Sequence, residues 1–127
     1  NVTAPTPGTS DNSTRVATTA FVHSLLGQRG NTTASKAVNG YLKDNYTGII
    51  WQWGKAGIGN ADSTTTINFP IAFPNAALNI TCTLLTGNVH GSSQGSENIK
   101  TFSKTNFVYY SGTDLSSKQL FYYAVGY

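Results

Sequence analysis

Three stretches of the chain alternate apolar and polar residues with a period of two. In the first, Ile49, Trp51 and Trp53 fall on one side and Ile50 and Gln52 on the other. The second runs from Thr64 to Phe73, with Ile67, Phe69, Ile71 and Phe73 opposite Thr66, Asn68, Pro70 and Ala72. The third, Ala76 to Leu85, sets Leu78, Ile80, Cys82 and Leu84 against Asn79, Thr81 and Thr83. A period of two is the signature of a β-strand with one buried face. Large apolar groups on both faces of the first stretch predict packing on both sides. Pro70 removes a ladder donor, so the second strand is expected at an edge or broken near its middle. Shorter apolar runs follow at Ile99 to Phe102 and Phe107 to Tyr110, and the chain closes on Leu120 to Tyr127. A strand that reaches the last residue stays ordered only if it is tied into a sheet, so a locked C-terminus is expected.

Upstream of residue 48 the pattern changes. Residues 1–10 hold two prolines and a glycine without periodicity and read as a linker. Residues 11–27 read as a helical segment: Asp11, Asn12 or Ser13 is expected to cap a helix from Arg15 to about Leu26, with Val16, Ala20 and His23 on one stripe, Ala17, Phe21 and Leu25 beside it, and Gly27 and Gly30 at its end. A helix this short is marginal without partners, so it should pack on something. Residues 28–47 are polar and read as an irregular connector with a turn at Asn39-Gly40, and 48–127 as the β domain.

Composition narrows the class. With 127 residues, 39% hydrophobic and 10% charged, the chain has room for one domain. A domain of this size buries about two thirds of its unfolded surface, so association with other chains is an expected source of further stability. The net charge of +3 is spread over single lysines and arginines, without the basic stripe that nucleic-acid binders carry. Cys82 is the single cysteine, which excludes an intrachain disulfide. No apolar run approaches the roughly 20 residues of a membrane helix. A start at Asn1 rather than methionine fits a processed or excised piece of a longer chain.

The residues give little support to catalysis. The five acids, Asp11, Asp44, Asp62, Glu97 and Asp114, stand singly at expected caps, turns and loops and form no hydrolytic pair. His23 and His90 have no neighbouring cysteine or acidic cluster, so no metal site is assigned; only threefold symmetry would bring copies of His23 together on an axis. Cys82 sits on an apolar strand face and reads as an inert thiol. The Gly-Lys-Ala-Gly-Ile-Gly turn at 54–59 lacks the Ser or Thr and the helix of a phosphate-binding loop, and no serine has the Gly-x-Ser-x-Gly setting. Tyr109, Tyr110, Tyr122 and Tyr123 stand either in a core or interface or on a sugar-stacking surface, since neighbours in a strand face opposite ways.

The order Trp53-Gly54, a Gly/Thr turn, Phe69-Pro70 with Phe73-Pro74, and a final Ala124-Val125-Gly126-Tyr127 resembles the gp53-like C-terminal family of bacteriophage tail fibres. Asp11 to Val22 is similar to a segment of tail-fibre shafts just before the tip; within the tip-domain match, about Asn39 to Tyr127, Trp51 departs from the aliphatic residue common at its position. The resemblance implies an all-β chain: a small antiparallel β-sandwich-like tip domain with a short N-terminal helix, assembled as a homotrimer. It implies a non-catalytic receptor-binding tip, without cofactor or metal, at the distal, extracellular end of the virion's tail fibre. Its partners would be the rest of the fibre and a bacterial surface glycan such as lipopolysaccharide, or a protein receptor, with neither nucleic acid nor membrane insertion.

On that reading the candidate receptor-binding residues are Asn88, His90, Ser92, Gln94, Glu97, Tyr109, Tyr110, Asp114 and Lys118. The turn from Gly54 to Asp62 is a further candidate surface. The candidate trimer-interface residues are Val16, Ala20, His23, Trp51 and Tyr127. A structural or trimerisation module is the alternative, and a glycan-modifying depolymerase or esterase domain a more remote one.

Overall fold

A computed structural model of the chain describes residues 4–59, 62–85, 97–112 and 118–127. Among these residues one helix, α1 (Thr19–Arg29), precedes eight strands: β1 (Thr32–Ser35), β2 (Gly40–Asp44), β3 (Ile50–Gly57), β4 (Ser63–Asn68), β5 (Ala77–Leu85), β6 (Glu97–Phe102), β7 (Asn106–Ser111) and β8 (Gln119–Gly126). They form two antiparallel sheets, five strands in the order β1-β2-β3-β8-β5 and three in the order β4-β7-β6.

The helix starts later than the sequence pattern predicts. Asp11 spends its carboxylate on the Ser13 amide (2.9 Å) and on Arg15 (3.5 Å), closing a local turn. These contacts hold its carboxyl below the usual range, the Ser13 bonds contributing most. Thr18 is the N-cap instead, its hydroxyl accepting from the Phe21 amide at 3.2 Å. The helix also runs through Gly27 and ends where the Gly30 amide bonds the Leu26 carbonyl. Val16 therefore precedes the helix, and the expected stripe of Val16, Ala20 and His23 is broken. The connector is corrected too: residues 28–47 hold the β1–β2 hairpin, and Gly40 belongs to β2 rather than to a turn.

The core lies between the sheets. Ile50, Leu120, Tyr122 and Ala124 come from the larger sheet, Ile67, Phe107 and Tyr109 from the smaller, and Phe69 and Phe73 from the connection joining β4 to β5. Phe107 stands edge-on to Tyr122 at 5.2 Å and tilted to Phe69 at 5.7 Å, and Phe69 meets Phe73 at 5.1 Å. Gln52 is fully buried among them because its amide makes both bonds of a strand partner. Its Nε2 donates to the Ile71 carbonyl (2.9 Å), and its Oε1 accepts from the Ile71 amide (3.0 Å). Burial without those two bonds would cost several kcal/mol, on the order of 2 or more.

Pro70 acts as expected: β4 is an edge strand and ends at Asn68, before the proline. The third alternating stretch is corrected at its start. A bulge between Ala77 and Asn79 turns Leu78 outward, leaving it 62% exposed, while Ile80, Cys82 and Leu84 pack on the core. The C-terminus is locked because β8 is paired on both sides, between β3 and β5. The Tyr127 carbonyl accepts from the Asn75 (2.7 Å) and Ala76 (3.0 Å) amides, and the Tyr127 amide donates to the Ala76 carbonyl.

Burial pushes the Cys82 thiol up to about 11 from an ordinary value near 9. The thiol of the folded chain should therefore alkylate at pH 8 well below the rate of the urea-unfolded chain, a ratio that timed iodoacetamide labelling reads. The sign for stability follows: the unfolded thiol ionises first, so the stability present below about pH 9 declines as pH rises toward 11.

Candidate functional site

The register places three connections at one end of the sandwich. β3 ends with Gly57 opposite Gln119, and β5 ends with Leu85 opposite Gln119. In the other sheet, Ser63 and Glu97 both face Ser111. The connections 58–62, 86–96 and 112–118 therefore all leave from this end. The chain enters the sandwich at the opposite end, where Asn31 bonds Asn45 and Ile50 pairs with Gly126.

Under the loop-bearing end lies a polar cluster. Lys118 has only 1% of its side chain exposed; its Nζ donates to the Ser111 hydroxyl and lies 3.5 Å from Glu97 Oε1. Ser111 Oγ also donates to Glu97 (3.1 Å), and Glu97 hydrogen-bonds the Tyr109 hydroxyl. Burial first, and then the charge and hydrogen bond of Glu97, raise the Tyr109 pKa well above its usual value. Glu97 and Lys118 are the residues on which 86–96 and 112–117 end or begin, so the pair ties two loop stems together inside the fold. Nearby, Tyr110 points outward and donates to Asp62 at 2.8 Å. Asp62 has a positive φ of 55°, a conformation that Asp tolerates better than most residues.

These positions revise the candidate receptor-binding set. Tyr109 is 4% exposed and packed in the core, and Lys118 is 4% exposed, so each is a scaffold residue without a free face. Glu97 works in the same cluster, with 18% of its side chain exposed. Tyr110 remains on the surface, half-buried, while Asn88, His90, Ser92, Gln94 and Asp114 lie outside the described residues. Of the candidate interface residues, Val16 (80%), Ala20, His23 and Tyr127 (46%) are exposed and Trp51 is half-buried.

The sequence reading missed a groove on the outer face of the five-stranded sheet. There Leu42, Trp51 and Val125 align across β2, β3 and β8, and beside them Trp53 with Tyr123 and Lys55 with Phe121. A groove of about 400 Å³ opens at the Trp53 end, lined by Lys36, Ala37, Val38, Trp53, Gly54, Lys55, Phe121 and Tyr122. The alternation of Trp53 and Lys55 was the legible signal; Phe121 joins them only through strand pairing. A second groove, of about 460 Å³, runs between the edges of β5 and β6 past Leu78, Ile80, Ile99 and Phe102. Among the described residues no group of His, Cys, Asp and Glu is arranged to hold a metal. Among the described residues no helix is long and apolar enough to cross a membrane.

Residues 43–127 match the model of the tail fibre gp53-like C-terminal family. The chain is similar in structure to the C-terminal region of the R2 pyocin fibre of P. aeruginosa: TM-score 0.71, 26% identity, covering 98% of this chain and 34% of that one. It also superposes on an N-truncated R1-type pyocin tail fibre, with TM-score 0.66, 30% identity, and coverage of 88% of this chain and 98% of the other. In sequence it is 34% identical over 103 residues to an uncharacterized protein of Methanocaldococcus jannaschii, of whose length it spans 65%. With two thirds of its length matched by the family model and two pyocin fibres sharing its sheets, the chain belongs to the gp53-like tail fibre C-terminal family.

Proposed function

We propose that this domain is the distal receptor-binding tip of a phage-like tail fibre, that it acts as a homotrimer, and that it adsorbs the particle to a bacterial surface glycan without catalysing a reaction. The observation that carries this reading is the polarity of the fold: the chain enters at one end and three connections leave the other. A rigid sandwich that presents several loops at one end is the usual architecture of a binding module. The exposed apolar residues of α1 and its approach, Val16, Val22 and Leu26, support association of three copies at the entry end, with Ala20 and His23 beside them. Trp51 and Tyr127 are the proposed contacts on the sandwich itself. Threefold repetition would raise weak glycan affinity by avidity.

The test is adsorption. Replacing residues 88–94 with a Gly-Ser linker, which leaves Glu97 in place, should abolish most binding of the intact fibre to host cells, while the 127-residue chain carrying the same change keeps a mass by light scattering of three times 13.5 kDa. Unchanged adsorption would remove the 86–96 connection from the receptor surface. A monomeric mass for the wild-type chain would count against trimer formation by this segment alone.

A further inference from the structure

The groove beside Trp53 is built in advance, and its charge is uncompensated. The indole Nε1 donates to the Ala37 carbonyl at 3.1 Å, which fixes the ring against the bend between β1 and β2. Gly40 makes room for that ring: a Cβ there would come within 2.7 Å of the Trp53 indole. Asn39 closes the same bend by accepting from the Lys55 amide at 2.7 Å. Gly54 turns its Cβ position to the core, where a side chain would meet the Tyr122 ring at 2.5 Å, and borders the groove with its backbone alone. Phe121 forms the other aromatic wall, with the Lys55 ammonium 5.9 Å from its ring centroid. Lys36 and Lys55 are both exposed, the lining contains no acid, and neither lysine has a carboxylate partner among the described residues.

We infer that this groove is a binding site for an acidic saccharide, a sugar bearing a carboxylate or phosphate. The inference rests on the glycan-binding reading above and gives it a second contact surface, on the flank of the sandwich rather than in the loops. Immobilised aromatic faces suit the apolar side of a sugar ring. The two ammonium groups supply charge-assisted hydrogen bonds to the anion, stronger than neutral ones. The volume of about 400 Å³ falls within the range of small-ligand sites, about 300–1,000 Å³. Lys55 pairs with Phe121 two residues from the end of the sheet where Gly57 pairs with Gln119, so the groove lies near that end of the sandwich.

The experiment follows the Trp53 indole N–H by NMR in the full chain, with Trp51, the other tryptophan, as internal reference. The probes are trigalacturonic acid, glucose 6-phosphate and neutral galactotriose. The expected result is a saturable shift of Trp53 with at least one anionic probe, at a Kd on the order of 1 mM. That affinity should fall at least about fivefold in the K36Q/K55Q variant, whose fold is checked by the unshifted Trp51 resonance. The two anionic probes separate carboxylate from phosphate recognition. The inference is overturned if Trp53 is unmoved up to about 20 mM of every probe, if galactotriose binds as well as the anions, or if K36Q/K55Q binds undiminished. A Trp53 shift that depends on protein concentration alone would overturn it in favour of a second copy in the groove. Adsorption to cells separates the two readings: wild-type adsorption without groove binding removes this inference only, and lysine-dependent groove binding without adsorption removes the receptor-tip role only.

Discussion

Replacing Phe107 by alanine should cost about 3–5 kcal/mol of stability, the largest loss expected from any single truncation in this chain. Phe107 is 0% exposed and lies in β7, the middle strand of the smaller sheet. Its ring joins the sheets by meeting Tyr122 of β8 at 5.2 Å and Phe69 at 5.7 Å. The backbone around it is held in a ladder on both sides, to Ile67 and to Phe102, so the site cannot collapse readily into the cavity. Aromatic pair energies of about 0.5–1.5 kcal/mol are lost in addition to buried area. Against a total of about 5–15 kcal/mol for a domain, this approaches the limit of folding. Urea denaturation at matched protein concentration measures it, and Phe107→Leu, which keeps most of the volume, should recover more than half of the loss. Equal stability of Phe107→Ala and wild type would mean that the two sheets are not held together here.

The second large effect is expected at Lys118. Truncation to alanine leaves Glu97 beside Ser111 and Tyr109 without its cation. Breaking a buried pair in this way costs about 3–5 kcal/mol. Because 18% of the Glu97 side chain still meets solvent, the low end, about 3 kcal/mol, is expected. The double variant Glu97→Gln with Lys118→Met should be more stable than Lys118→Ala, since no uncompensated charge remains, and that ordering in denaturant midpoints identifies the mechanism. Because Glu97 and Lys118 anchor the stems of 86–96 and 112–117, adsorption of the double variant should weaken more than its stability accounts for. A Lys118→Ala loss under about 1 kcal/mol would show that the pair contributes as little as a surface salt bridge.

Resemblance of a few short motifs located the family, because Trp53-Gly54, Phe69-Pro70 and the closing Ala124-Val125-Gly126-Tyr127 each occupy a position with a strict steric demand. Gly54 and Gly126 leave no space for a Cβ beside Tyr122 and Phe73 respectively, so these glycines are fixed by packing and stay visible in the sequence. The receptor-binding candidates were less legible. Tyr109 and Tyr110 are adjacent and chemically identical, yet one is core and the other surface. Alternation says that they differ; only the facing sheet says which one is covered.

By itself the sequence determined the strands β3 to β8, the interruption at Pro70 and the tied C-terminus. All of these follow from the period of side chains along one backbone and from the missing proline donor. The tertiary structure decided the rest. It drew residues 32–44 into the larger sheet. It buried Lys118 against Glu97 and set Phe121 beside Trp53 and Lys55. The last two outcomes depend on pairings between residues 21 and 66 positions apart, whose register is chosen by the fit of whole sheet faces and leaves no mark at either position alone.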